Sequence, residues 1–264
     1  MRIALFTLEA APNGEAVAAF VARHAERIVL IGRSDPFRPG AGGELRQGWR
    51  HLRRSGPRLL PFLWANYALP RLRRGPTRLA RLAAAHGIPL HAVRAVNGPE
   101  TAAALRAARP DLILSFHFDQ IFAADTLALA PLGGINLHPS LLPRHRGPVP
   151  TIWALAEETP RFGVTAHRLV SRIDAGGILG QRAVSLPTGT TASAAARALH
   201  QEGVGLLEEV LAALAAGTAR EVLPPPLPYC PFPPPALLRA LAARGRRLVD
   251  GSDLRAAWSS LVPP

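Results

Sequence analysis

The sequence predicts an α/β fold: a doubly wound, mostly parallel, Rossmann-like sheet with an inserted arginine-rich helical segment and a short C-terminal extension. Three observations predict it. Apolar runs of strand length alternate with helical patterns in two blocks, as a parallel sheet covered on both faces requires. A stretch broken by glycine and proline and crowded with arginine separates the two blocks. A proline tract follows the last long helical pattern, so the tail is read apart from the main body.

The first block reads "RIALFTL", then helical "GEAVAAFVARHA", then the apolar "RIVLIG". Glu9 interrupts the opening apolar run before it reaches signal-peptide length, so the run is a buried first strand. Residues 35–82 form the insertion, where glycines and prolines predict a loop and one or two short helices. Arginines flank an apolar centre bearing Phe62, Trp64 and Tyr67. Such a segment either packs its apolar side on the domain, lies on a membrane surface through residues 45–75, or clamps an acidic substrate. The alternation resumes with "PLHAVRAV", helical "PETAAALRAAR", the buried run "DLILSFHF" and a short helix near "AADTLALA". Further on, "RFGVTAHRLV" has strand character, and a helix with apolar residues at helical spacing runs from about Thr191 to Ala215. The tail, "LPPPLPYCPFPPP" followed by "ALLRALAARGRRL", reads as an extended linker and a short helix. The expected division is a main domain over 1–217, including the insertion, and an extension over 218–264.

Composition narrows the classes. With 264 residues and 48% hydrophobic content, the chain can bury a sizeable core. One cysteine, Cys230, excludes an internal disulfide and a multi-cysteine metal site, which fits a reducing compartment, and the cytoplasm is the expected location. The longest other apolar stretch, "LLPFLWANYALP", is well short of the ~20 residues that a membrane-spanning helix needs. The formal net charge of +13 would suit a nucleic-acid partner. Every one of the 31 basic residues is arginine, however, in a chain rich in alanine, leucine, proline and glycine, the mark of a compositional bias that raises arginine everywhere. Nucleic acid is therefore not the expected partner.

The segment "NLHPSLLPRHRG" carries the chemistry. In an extended chain Asn136, His138 and Ser140 would share one face while Leu137 and Pro139 take the other. An amide can donate to a developing oxyanion, an imidazole can move a proton near neutral pH, and a hydroxyl can support either. The carboxyl end of a strand in a parallel sheet is where open α/β folds bind ligands. The carboxylate that this trio lacks is offered downstream by Asp174 in "RIDAGGIL". Alternative structural roles are a turn cap for Asn136, a core position for His138 and a helix cap or turn for Asp174. Arg144 and His145 are expected on an exposed loop after Pro143.

"GGINLHPSLLPRHRGPVPTIWAL" followed by "FGVTAHRLVSRIDAGGILGQ" resembles the folate-dependent formyltransferases: the methionyl-tRNA, glycinamide ribonucleotide and nucleotide-sugar enzymes. The Asn-x-His-x-Ser-Leu-Leu-Pro segment, the Gly-Val-Thr-x-His strand and Asp-Ala-Gly occur here in the family's order, and the resemblance spans about Ala92 to Gly217. It implies the formyltransferase fold, 10-formyltetrahydrofolate as formyl donor, a primary amine as acceptor and no metal. It further implies that Asn136 polarises the formyl oxygen, that His138 moves protons, and that Asp174 orients the imidazole. His167 would be structural or face the substrate. An ungapped match upstream of Asn136 sets Phe118, Gln120 and Phe122 along the donor slot, with Ile173 opposite. His117 and Asp119 depart from the small or apolar residues common there, and Asp119 would oppose an acidic folate tail unless turned away.

The acceptor is the open element. The segment after the long helix is too short and wrongly patterned for the β-barrel of the transfer RNA enzymes, and "TLEAAPNGEA" lacks the glycine cluster of the ribonucleotide enzymes. A small or medium amine remains, for example a nucleotide-linked amino sugar, with Arg46, Arg50, Arg53 and Arg54 available for its phosphates. A formyltetrahydrofolate hydrolase, a methionyl-tRNA formyltransferase and a non-catalytic folate-binding or membrane-surface module are the alternatives.

Overall fold

The computed structural model describes residues 1–35, 43–72, 75–225 and 227–259, with the side chains of residues 44 and 45 excepted. Parts of the insertion, 36–42 and 73–74, lie outside the described residues.

The first block folds as read: β1 (Ile3–Leu8), α1 (Gly14–His24) and β2 (Ile28–Ser34). The insertion then forms α2 (Gly43–Ser55), a 3-10 turn at Pro57–Leu59, α3 (Leu60–Leu63), a π turn at Trp64–Ala68, a second 3-10 turn at Leu69–Leu72, and α4 (Arg78–Ala85). It is more helical than its glycines and prolines predict, because Pro57 and Pro61 occupy first-turn positions, where a missing N–H costs nothing. The second block follows with β3 (Leu90–Val93), α5 (Pro99–Ala108), β4 (Leu112–Phe116), α6 (Ala124–Leu127), β5 (Gly134–His138), α7 (Pro150–Ala156), β6 (Phe162–Arg168), β7 (Ile178–Val184) and α8 (Ala192–Ala215). The tail holds α9 (Pro235–Ala243) and α10 (Gly251–Ser259).

The seven strands lie in the order β3-β2-β1-β4-β5-β6-β7. The first five are parallel, and β6 and β7 run antiparallel at one edge. β1 is buried along its whole length at the centre. One face of the sheet packs on α1, α4 and α8 through Phe20, Val21, Leu79 and Leu207, and the other packs on α5 and α6 through Leu105 and Leu127. α8 comes close because Gly203 has no side chain: a Cβ there would stand 2.5 Å from Leu137 Cδ2. Two elements go beyond the sequence reading. β7 is a half-exposed edge strand whose glycine, glutamine and arginine mask the alternation. α10 is capped by Asp250, which accepts from the backbone N–H of Ser252 at 2.9 Å.

Insertion and tail meet. Leu59 and Phe62 of the insertion, Val149 and Ile152 around α7, and Leu238 and Leu241 of α9 form a third apolar cluster outside the sheet. α10 is fixed to the start of α8 by buried Asp253, which pairs with Arg197 at 2.5 Å and accepts from Thr191 Oγ1 at 2.7 Å. Among the described residues no helix is long and apolar enough to cross a membrane.

Candidate active site

The register of the β5–β6 ladder sets Asn136 directly opposite His167, on one face at the edge where the strands change direction. Asn136 Nδ2 lies 3.1 Å from His167 Nε2, and His167 Nδ1 lies 2.9 Å from the Arg168 carbonyl. The carbonyl requires the proton on Nδ1, so Nε2 accepts one amide N–H of Asn136 and the amide's second N–H is left for a ligand. His167 is 2% exposed and orients Asn136.

His138 Nε2 donates to the His145 carbonyl at 3.2 Å, which leaves Nδ1 as the basic nitrogen. Nδ1 faces Asp174 Oδ2 at 3.7 Å, and Asp174 Oδ1 stands 3.6 Å from His167 Nε2. These separations are too long for hydrogen bonds, yet short enough that a proton arriving on His138 would form an ion pair. Burial pushes the His138 pKa below its ordinary value against the opposing pull of Asp174. Burial pushes the Asp174 carboxyl up, but His138, His167 and the Gly147 N–H together outweigh it and hold it at about 2. The carboxylate is charged and the resting imidazole neutral, the pairing of an acceptor of protons with a group that stabilises it once charged.

Ser140 does not share this face. Pro139 ends the strand, the Ser140 N–H turns back to the His138 carbonyl at 2.9 Å, and the Ser140 hydroxyl donates to the Arg144 carbonyl at 2.8 Å. The expected exposed loop beyond it is in fact pinned: Arg144 and His145 both reach Glu157 Oε1, at 2.6 and 3.1 Å. His145 is mostly buried as a result.

Arg146, which nothing in the sequence singles out, holds the site together. It is 4% exposed, and its guanidinium donates to the carbonyls of Ile173, Asp174 and Leu227 at 2.6 to 3.2 Å. Asp174, in the left-handed region at φ 45°, is thereby fixed from its backbone, while Gly147 N–H holds its side chain at 2.9 Å. The C-terminal segment lies against the same loop, for Cys230 N–H donates to the Arg146 carbonyl at 2.7 Å. Gly147 (φ 133°) admits this strap, because a Cβ there would meet the Cys230 carbonyl at 2.1 Å.

A cavity of about 870 Å³ opens over Asn136, His138 and Asp174, a volume suited to a medium-sized ligand or two smaller ones. One wall is apolar: Phe118, Ile121, Leu169, Val170 and Ile173, with Arg172 at its rim. Gln120 and Phe122 also border it, but both are committed elsewhere. Gln120 Oε1 accepts from Val96 N–H at 2.9 Å, and Phe122, 1% exposed, packs edge-on to Phe6. The opposite wall comes from the insertion and the tail: Arg50, His51 and Arg54 of α2 with Tyr229 and Phe232. Arg54 sits 4.2 Å over the Phe232 ring and His51 is tilted against it. Burial, Arg54 and Arg50 push the His51 pKa to about 4, so this imidazole is neutral and the positive charge of the wall rests on Arg50 and Arg54. Arg46 and Arg53, expected beside them, do not line the cavity. Asp119 does line it, at the end bordered by Tyr67 and His117.

The family model for formyl transferases matches residues 74–211, just over half of the chain. The chain belongs to the formyltransferase family. Solved structures agree in fold. A sugar N-formyltransferase from a Shewanella species is 19% identical, with a TM-score of 0.56 over 88% of this chain and 77% of that one. A sugar 3N-formyltransferase solved in the presence of dTDP and 5-N-formyl-THF is 14% identical, with a TM-score of 0.56 over 88% and 69%. Glycinamide ribonucleotide transformylase 1 from Symbiobacterium toebii is 19% identical, with a TM-score of 0.58 over 84% and 94%. The solved structures share the fold of this formyltransferase, and the insertion wall stands largely outside the span that the family model matches.

Proposed function

We propose that the protein transfers a formyl group from 10-formyltetrahydrofolate to a primary amine carried by a phosphorylated acceptor such as a nucleotide-linked amino sugar. The observation that carries the transfer is the convergence of one free Asn136 N–H, the His138 Nδ1 lone pair and the Asp174 carboxylate at a single cavity. The apolar wall of Phe118, Ile121 and Ile173 fits a flat pterin, and Arg172 at its rim fits the acidic tail of a folate.

In this reading Asn136 Nδ2 donates to the formyl oxygen as negative charge gathers there, and His167 keeps the amide turned the right way. His138 Nδ1 takes the proton that the amine sheds on attack, Asp174 stabilises the resulting imidazolium, and the imidazolium returns the proton to N10 of the donor as the bond from the formyl carbon to N10 breaks and tetrahydrofolate leaves. The His145 carbonyl fixes the tautomer, so the receiving nitrogen is already bare. One feature supports a phosphorylated acceptor that enters along the insertion: Arg50 and Arg54 line the cavity.

Mass spectrometry of a pooled amine library incubated with 10-formyltetrahydrofolate, with His138→Ala as control, tests this reading. One formylated amine absent from the control is the expected result. Formate without formylated product would move the assignment to a hydrolase, and an untouched donor would overturn it.

A further inference from the structure

The inner end of the cavity, beyond His138, holds polar groups that the formyl-transfer step does not use. His117 follows β4 in the left-handed region at φ 55°, which turns its ring toward α8, and the His200 ring meets it edge-on at 5.1 Å. Tyr67 of the insertion stacks on His117, with its hydroxyl 3.4 Å from Nε2. All three rings line the cavity, as do Pro12 and Asp119.

His200 is the informative member. It is fully buried, and its Nδ1 lies 2.7 Å from the Ala196 carbonyl one helical turn back, so Nδ1 bears the proton and Nε2 a lone pair. Nε2 is buried with no hydrogen-bond partner among the described residues. The Pro12 carbonyl lies close enough to favour the charged form of the ring, but with the single proton of the neutral ring on Nδ1 it faces Nε2 as a second acceptor and leaves that lone pair unpaired. Burial, and for His200 the neighbouring His117, push the two imidazoles down to about 4 and about 3, so neither repels a cation near pH 7. A bare imidazole nitrogen, a carbonyl and the Asp119 carboxylate share one end of the cavity. A buried acceptor left unpaired costs free energy that a ligand donor would recover.

We propose that His200, with His117 and Tyr67 beside it, forms the subsite that accepts hydrogen bonds from the hydroxyl groups flanking the acceptor's amine, so that the enzyme selects a hydroxylated amine over a plain alkylamine. This rests on the reading of the acceptor as an amino sugar. A site built to bond a hydroxyl discriminates against the analogue that lacks it, because its own polar group is then stranded. Nothing in the sequence marks His200, which sits inside an ordinary apolar helical pattern.

The test records side-chain 15N signals of His117 and His200 in the full-length protein. Nucleoside-diphosphate-linked 3- and 4-amino hexoses, their counterparts deoxygenated beside the amine, and the nucleoside diphosphate alone are titrated in, and formylation is measured in parallel. The expected result is a shift of the His200 Nε2 signal with the hydroxylated amino sugar only. His200→Leu should raise the acceptor KM by about three- to tenfold, abolish the preference over the deoxygenated counterpart, and leave donor KM unchanged, while His200→Gln, which keeps an acceptor atom, should restore part of the preference. An amino sugar that is formylated while the His200 signal and the preference both stay unchanged overturns the subsite alone. Failure of every amino sugar to be formylated overturns the reading of the acceptor and the subsite with it.

Discussion

The two sides of the cavity are built by different means. Asn136, His138 and His167 are placed by sheet register on adjacent strands, so a few residues of local sequence fix them. The opposite wall is assembled from α2, the turns through Tyr67, and the tail around Tyr229 and Phe232, segments distant in sequence that meet through one satellite apolar cluster. On the proposed function, chemistry sits on the part that small changes elsewhere disturb least, while recognition sits on the part that can be exchanged without moving a strand. Substitutions on the two sides should therefore separate kcat from KM.

The largest effect belongs to the register-built side. His138→Ala or Asn136→Ala should lower kcat by about 10²- to 10⁴-fold with donor binding little changed, read by steady-state kinetics and donor-analogue titration. Asp174→Asn keeps the shape and removes the charge, so kcat should fall by about 10²-fold or more. It should also lower the pKa of His138 further, since the carboxylate is what opposes burial there. Arg146→Met sharpens the comparison, because this residue fastens one side to the other. Stranding the Ile173, Asp174 and Leu227 carbonyls should cost about 1–3 kcal/mol in thermal or denaturant unfolding, and kcat should drop with acceptor KM less affected. On the assembled wall, Arg50→Gln with Arg54→Gln should raise acceptor KM by about tenfold while kcat and donor KM hold. Equal losses in kcat would break the division. The smallest effect is in pH. His138 must be neutral to accept a proton and its pKa lies below the ordinary value of 6.5, so its imidazole should still be neutral at pH 6.5 and gain a proton only on further acidification. A His138 side-chain 15N titration centred at or above 6.5 would contradict this assignment.

Legibility in the sequence follows the same division. The strand-helix alternation was readable because β1, β2 and β4 are dominated by apolar residues and their helices have helical spacing, a signal local to each segment. β7 escaped because a strand with one solvated side is expected to alternate, and its glycine, glutamine and arginine blur that alternation. At the site, Asn136, His138 and Asp174 stood out by residue type and motif, and the structure brings them to one cavity. Ser140 shows the limit of period-two reasoning, since a proline ended the extended chain one residue before it. Arg146, His200 and the tail residues were illegible for another reason. Their roles depend on which backbone carbonyls and rings come near them, and in a chain with so many arginines one more carries no signal of its own.

The Arg146 bridge has a consequence for the order in which the enzyme is made. Asn136, His138 and Asp174 leave the ribosome well before Leu227 and Cys230, the residues that secure their loop. The nascent chain therefore carries its reactive groups for some time without the strap that holds them in place. On the proposed function, competence for catalysis would arrive late in translation, and a cleavage in the proline tract after synthesis would return the protein to that earlier, unfastened condition.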